Sequence, residues 1–351
     1  MLDIFLFDMD AVLLEPGGYR TALIETINYF SSRLGLGHLA PTLAEIEAIE
    51  SFGITSEWDS AAIAIVEMAC TGQRPNYIAL AEKVSQAWRQ GEYAAEAAYR
   101  LVSNLQSPIA SRDWRLEDLL LHSRNIHRSP VLNIFQQFTL GDQFEATYDL
   151  PKTIDTHSTL LKHDRPVLGR AVPAHSAIYT ARPCQAPRDV APRRGYAPEA
   201  ELGAQLVGLS HLPLIGFGSL QWLAEELGNG AVAEHFLKPS PVHGLAALGA
   251  ALGGSESAAV RAAAAAVRGE WLSPLKELRA ETGRVFVFED SARSIAGVRE
   301  AVRLLGENWS CVGVGISAGG PKRVALAKVA DRVYDSLNDA LNQIENLRGL
   351  A

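Results

Sequence analysis

The sequence predicts an α/β protein: a doubly wound parallel sheet with a mostly α-helical block inserted after its first strand. Three observations predict it. Residues 2–7, LDIFLF, form an apolar run that stops at Asp8 and Asp10, as a buried parallel strand stops at its functional edge. From about Tyr19 to Phe144 the apolar spacing turns helical. Strand-like runs then return at 176–180, 212–217, 284–290 and 311–316, with helical stretches between most of them.

The helical block contains TALIETINYFSSRL, TLAEIEAIESF, YIALAEKVSQAWRQ and LEDLLLHSRNI, separated by Gly, Pro and Ser. Since strand one belongs with the later strands, the block reads as an insertion. The expected division is a sheet domain of residues 1–16 and 160–351 and a helical domain of residues 17–159. A chain of 351 residues has room for both. The Pro- and Arg-rich stretch from Arg182 to Arg194 reads as a surface loop.

Composition narrows the class of function. Hydrophobic residues at 48% and charged residues at 21% are those of a folded globular chain. The formal net charge of −8, spread along the chain, argues against nucleic acid as a partner. No run of about 20 apolar residues offers a membrane span. The three cysteines, Cys70, Cys184 and Cys311, show no metal-binding or disulfide spacing, and with no basic leader before the first strand they fit a cytoplasmic protein.

Ligand chemistry in doubly wound sheets gathers beyond the carboxyl ends of the strands. Here those positions hold Asp8 and Asp10, then Thr180, then Lys238 in HFLKPSP, then Glu289 and Asp290. Four carboxylates on one rim repel one another and call for a cation. Oxygen donors without His or Cys suit Mg²⁺. Lys238 would offset part of the remaining charge, and Thr180 could donate a hydrogen bond to a phosphate oxygen.

FDMDAVL, IYT, LKPSP and VFEDS, in that order, resemble the four motifs of the haloacid dehalogenase-like hydrolases. The resemblance covers residues 1 to about 15 and about 170 to 340, and it implies a Rossmann-like core with a helical cap inserted after the first strand. It further implies that Asp8 is the nucleophile of a phosphatase that forms an aspartyl-phosphate on a small phosphorylated metabolite. Asp10 would be the general acid and base, and its presence favours phosphoryl transfer over dehalogenation. Asp8, the main-chain carbonyl of Asp10, and Asp290 would bind the metal, with Glu289 either a direct ligand or one step behind it. The sequence departs from the pattern at Met9, at Ala11 where Gly is frequent, and in the long stretch between Lys238 and Glu289 that holds an Ala-rich run.

Other readings accompany these. A phosphomutase would use the same residues, and a binding protein could keep the fold without the reaction. Arg182, two residues after Thr180, either binds substrate or is an exposed loop arginine. Glu289 and Asp290 also fit an N-cap pair for SARSIAGVREAV. Arg20, Lys83 and Arg112 in the helical block are further candidates for ligand contact. Gly313-Val-Gly315-Ile-Ser-Ala318 has the spacing of a dinucleotide fingerprint, but Gly319, Gly320 and Pro321 follow it in place of a clean helix opening.

Overall fold

The computed structural model describes residues 1–89, 92–103, 114–228 and 230–348. The chain forms two compact units, one of Met1–Pro16 with Asp164–Ala351 and one of Gly17–His163.

The first unit is built on a six-stranded parallel sheet. Its strands are β1 (Leu2–Phe7), β4 (Ser176–Tyr179), β5 (Leu214–Ile215), β6 (Gly283–Glu289), β7 (Trp309–Ile316) and β8 (Arg332–Tyr334), in the spatial order β5-β4-β1-β6-β7-β8. β2 (Leu14–Glu15) and β3 (Arg165–Pro166) form a separate antiparallel pair where the chain leaves and re-enters this unit. After β1 the chain adds β4 and β5 on one side, then returns to add β6, β7 and β8 on the other. The order therefore reverses beside β1, the point at which such sheets open a crevice for ligand. Sequence reading found β1, β4, β6 and β7 closely; β5 is shorter than the run at 212–217, and β8 went unnoticed.

Both faces of the sheet are covered, which is why its strands read as unbroken apolar runs. Alternate residues of β1 enter different cores. Ile4 and Leu6 join Tyr179, Val285 and Val287 beneath the helices Pro241–Ala251, Glu256–Ala266 and Ala292–Leu305, while Phe5 and Phe7 join Ile178, Phe286 and Phe288 on the opposite face. The register places Phe5 opposite Phe286 and Phe7 opposite Phe288, and both ring pairs stack, with centroids 5.0 and 4.9 Å apart. These pairs lock β1 to β6 just before the aspartates.

The long stretch between Lys238 and Glu289 holds a pair of packed core helices, Pro241–Ala251 and Glu256–Ala266, ahead of a short third one, Leu275–Ala280. Ser255 caps the second, accepting the Ala258 N–H at 3.0 Å, and the small side chains let the two approach until Gly249 lies against Ala259. The Ala-rich run is thus a close-packing surface.

The regular structure of the second unit is helical among its described residues. Its helices include Gly18–Arg33, Leu43–Ser51, Glu57–Thr71, Tyr77–Ala87, Ala94–Val102 and Pro130–Leu140, around a core holding Phe30, Ile65, Met68 and Phe135. Thr42 and Glu45 form the capping box that opens the second of these. Inside, Asp59 accepts hydrogen bonds from Ser123 and Arg124, whose guanidinium lies 3.8 Å from the centre of the Tyr93 ring. Arg20 pairs with Glu50, Lys83 is exposed, and Arg112 lies outside the described residues.

One half-buried acid in the sheet unit should leave a trace in stability. Glu201 accepts the Gln185 N–H at 3.0 Å on Oε1, while Oε2 is buried with no hydrogen-bond partner. Burial pushes its pKa from 4.5 up to about 7, against the Gln185 hydrogen bond and the pull of Arg188. The fold favours the protonated acid, so this contribution is complete below the unfolded pKa and is lost as pH rises through about 7. Glu201→Gln should flatten the stability profile between about pH 5 and pH 8. Urea midpoints across that range check it, and a slope equal to that of the wild type would refute the assignment.

Candidate active site

The edge beside β1 gathers side chains from the ends of β1, β4 and β6, and Lys238 joins them not from a strand end but from the turn that precedes helix Pro241–Ala251. Asp8 follows β1 directly and is held in line by its own N–H, which donates to the Phe288 carbonyl at 3.0 Å. Its carboxylate is only 6% exposed. The Met9 N–H and the Lys238 ammonium both donate to Oδ1, each at 2.7 Å. Beyond it the Met9 carbonyl accepts the N–H groups of Leu13 and Leu14, and the turn holds Ala11 at φ 59°. That left-handed conformation costs a residue with a Cβ on the order of 1 kcal/mol, which explains why glycine suits the position.

Lys238 is the hub. Its Nζ lies 2.7 Å from Asp8 Oδ1, 2.7 Å from Glu289 Oε1, and 4.5 Å from the centre of the Tyr179 ring. Tyr179 donates its hydroxyl proton to the same Glu289 oxygen at 2.5 Å. The Ser291 N–H donates to Glu289 Oε2 at 3.3 Å. His243 holds the lysine backbone: its Nδ1 accepts the Lys238 N–H at 3.2 Å, and its Nε2–H donates to the Ile215 carbonyl at 3.0 Å. Burial first, and then Lys238, pull the His243 pKa down to about 3, which keeps the ring neutral and Nδ1 an acceptor. Helix Ala292–Leu305 packs against this segment at Gly297, where a Cβ would collide with the Pro239 carbonyl.

Oxygen atoms of Asp8, Glu289 and Asp290 lie within 4.8 Å of one another. Burial pushes the Asp8 pKa well above the usual carboxylate range; Glu289, Asp290 and Asp10 push it further, and Lys238 opposes them. Burial pulls the Lys238 pKa down, but Asp8 and Glu289 outweigh it and hold the ammonium above the ordinary lysine value. Asp290 also pairs with Lys322, which is 68% exposed. One buried ammonium against three clustered carboxylates leaves an excess of negative charge, and the donors are all hard oxygens. The residues present therefore fit a divalent cation of the Mg²⁺ kind.

The remaining residues fall into a second cluster. Arg182 is 3% exposed, which excludes the exposed loop arginine. Its Nε lies 3.1 and 2.9 Å from the two Asp10 carboxylate oxygens, Nη2 reaches Oδ1 at 2.5 Å, and Nη1 reaches Asp164 Oδ2 at 2.8 Å. The guanidinium sits between two carboxylates. Thr180 is fully buried; its Oγ1 accepts the Arg182 N–H at 3.2 Å, which leaves the hydroxyl proton available to donate.

No protein-family model matches this chain, and no curated protein matches it. Among solved structures, it resembles an X-ray structure of a Northeast Structural Genomics Consortium target, with a TM-score of 0.55 at 15% identity over 99% of each chain. The phosphatase Tt82 from Thermococcus thioreducens aligns with a TM-score of 0.49 at 15% identity, over 89% of this chain and 92% of that one. The first likeness is one of fold.

Of the residues singled out from sequence, Asp8, Lys238, Glu289 and Asp290 converge, Asp10 and Arg182 pair, and Thr180 joins them through the Arg182 backbone. The cap of helix Ala292–Leu305 is Ser291, which accepts the Ser294 N–H at 3.4 Å, and not Glu289 or Asp290. The dinucleotide-like glycines lie inside β7 rather than in a turn: a Cβ on Gly313 would meet Ile295 at 2.6 Å, so close helix packing explains it. Tyr179, His243 and Asp164 were missed. The first two carried a faint signal, since one precedes Thr180 and the other follows Lys238 by five residues; Asp164 carried none.

Replacing Lys238 with Met tests the balance. Removing one partner of a buried ion pair costs about 3–5 kcal/mol. Lys238→Met should lower the unfolding free energy by that order in chelator-treated protein, measured by denaturant titration. An unchanged midpoint would mean that the ammonium compensates nothing.

Proposed function

We propose that this chain is a Mg²⁺-dependent phosphatase acting on a small phosphate monoester through a phosphorylated Asp8. The observation that carries the reading is the contact of Lys238 with both Asp8 and Glu289 beside the Asp290 carboxylate, at the crevice of a doubly wound sheet. A carboxylate nucleophile needs cations around it, because it must approach a dianionic phosphate.

In this reading the hydrogen bonds to the Asp8 carboxylate among the described residues fall on Oδ1, so Oδ2 presents its lone pairs to phosphorus. The Asp8–phosphorus bond forms as the ester oxygen departs, and Asp10 gives that oxygen a proton. Water then attacks phosphorus, Asp10 takes its proton, and the Asp8–phosphorus bond breaks to release inorganic phosphate. Thr180 donates to a phosphate oxygen, and Lys238 offsets the charge of the phosphoryl group. Asp8, Asp290 and the main-chain carbonyl of Asp10 would hold the Mg²⁺, while Glu289, engaged by Tyr179, Lys238 and Ser291, would sit behind it. The bound ion would supply the remaining positive charge.

Incubation with an aryl phosphate, with and without Mg²⁺, should show metal-dependent release of the phenol, and Asp8→Asn should reduce it at least about a thousandfold. A panel of phosphate esters with no metal-dependent turnover, and a variant equal to the wild type, would remove the proposal.

A further inference from the structure

Under the reading above Asp10 has to move protons, yet its carboxylate does not project freely. Arg182 grips it through Nε and Nη2, and the remaining nitrogen, Nη1, is held by Asp164. The side chain of Arg182 is 1% exposed and that of Asp164 is 0% exposed, whereas Asp10 keeps 35%. A buried arginine turned inward onto two carboxylates has no free edge for a substrate group. The planar fork fixes the plane and rotation of the Asp10 carboxylate, which a lysine ammonium cannot do. Thr180 is tied in as well, because its Oγ1 accepts the Arg182 N–H.

We infer that Arg182 is a positioning residue for Asp10 and not a substrate ligand, with Asp164 as the buried counter-charge that holds the guanidinium in place. The inference rests on the phosphatase reading. Its consequence concerns the second half of the reaction. Water forms a bond to phosphorus, the bond from phosphorus to the Asp8 oxygen breaks, and the water proton passes to Asp10. An Asp10 that swings loose is a poor acceptor for that proton. With an aryl ester the first half needs little proton donation, because the phenolate leaves unaided, so the two halves can be separated.

The test uses the full-length chain with Mg²⁺ and an aryl phosphate, comparing wild type, Arg182→Lys and Asp164→Asn in rapid-mixing and steady-state assays. Arg182→Lys should retain a first-turnover burst of phenol near one equivalent while its steady rate falls about tenfold to a hundredfold, in the range of a lost acid-base contribution. Intact mass spectrometry should show phosphorylated protein accumulating. Asp164→Asn should shift in the same direction by a smaller factor, and it guards against a misfolded arginine variant. On an alkyl phosphate, where the leaving oxygen needs its proton, even the first turnover of Arg182→Lys should slow. Burst and steady rate falling together, or a steady rate equal to that of the wild type, would overturn the positioning role and leave the phosphatase reading standing. A raised KM with kcat intact would assign Arg182 to substrate and equally overturn it. Absence of any burst or turnover in the wild type would overturn both.

Discussion

The sheet brings Asp8 and Glu289 to the ends of two adjacent strands, and everything else at this edge answers the repulsion that results. The Phe7–Phe288 stack and the parallel register leave little freedom to relieve it by moving the backbone. At a few ångströms, in a medium far less polarisable than water, two like charges cost several kcal/mol. Lys238 meets both carboxylates with one ammonium, Tyr179 spreads part of the Glu289 charge through its hydroxyl, and Asp290 turns toward Lys322. The balance stays negative. The fit of these residues to a hard divalent cation follows from this geometry.

Positioning of Lys238 depends on groups without formal charge. Its backbone N–H is held by a histidine that burial keeps neutral, and its Nζ lies against the Tyr179 ring. Gly297 lets the following helix sit directly on the Pro239 carbonyl. A lysine on a flexible stem loses much rotamer freedom when fixed, of the order of 2 kcal/mol. The surrounding packing supplies that order in the folded state, before any ligand arrives.

The strands and the order of their functional ends were legible because a buried parallel strand leaves an unbroken apolar run, and an aspartate at its end breaks that run visibly. Asp8, Glu289 and Asp290 were found in this way, whereas Lys238, in a turn far beyond β5, was legible only through LKPSP. Arg182 could not be read correctly, because a loop rich in Pro and Arg looks solvated by composition while its fate depends on Asp164, a partner 18 residues earlier with no local mark. Tyr179 and His243 were hidden for a related reason. Aromatic and histidine side chains within apolar stretches look like core, and here they are core and site at once. Gly313 carried an ambiguity of its own, since a glycine that admits a packed helix and a glycine that cradles a phosphate give the same letter; the Gly319, Gly320 and Pro321 that follow had already counted against the second.

The two cations of this edge differ in kind, and under the proposed reaction the difference matches what each carboxylate would have to do. As a nucleophile Asp8 would need free lone pairs, and a compact ammonium that touches one oxygen suits that: among the described residues the hydrogen bonds to its carboxylate, from Met9 and Lys238, fall on Oδ1. As the acid and base of that reaction Asp10 would need a fixed direction, and a planar fork that spans both oxygens supplies it. Exchanging the two cations would defeat both tasks, since a fork on Asp8 would occupy the attacking oxygen and a point charge on Asp10 would leave it free to rotate. The assignment of Lys to one carboxylate and Arg to the other is therefore the feature of this edge most closely tied to the proposed chemistry, because burial and charge balance alone would accept either arrangement.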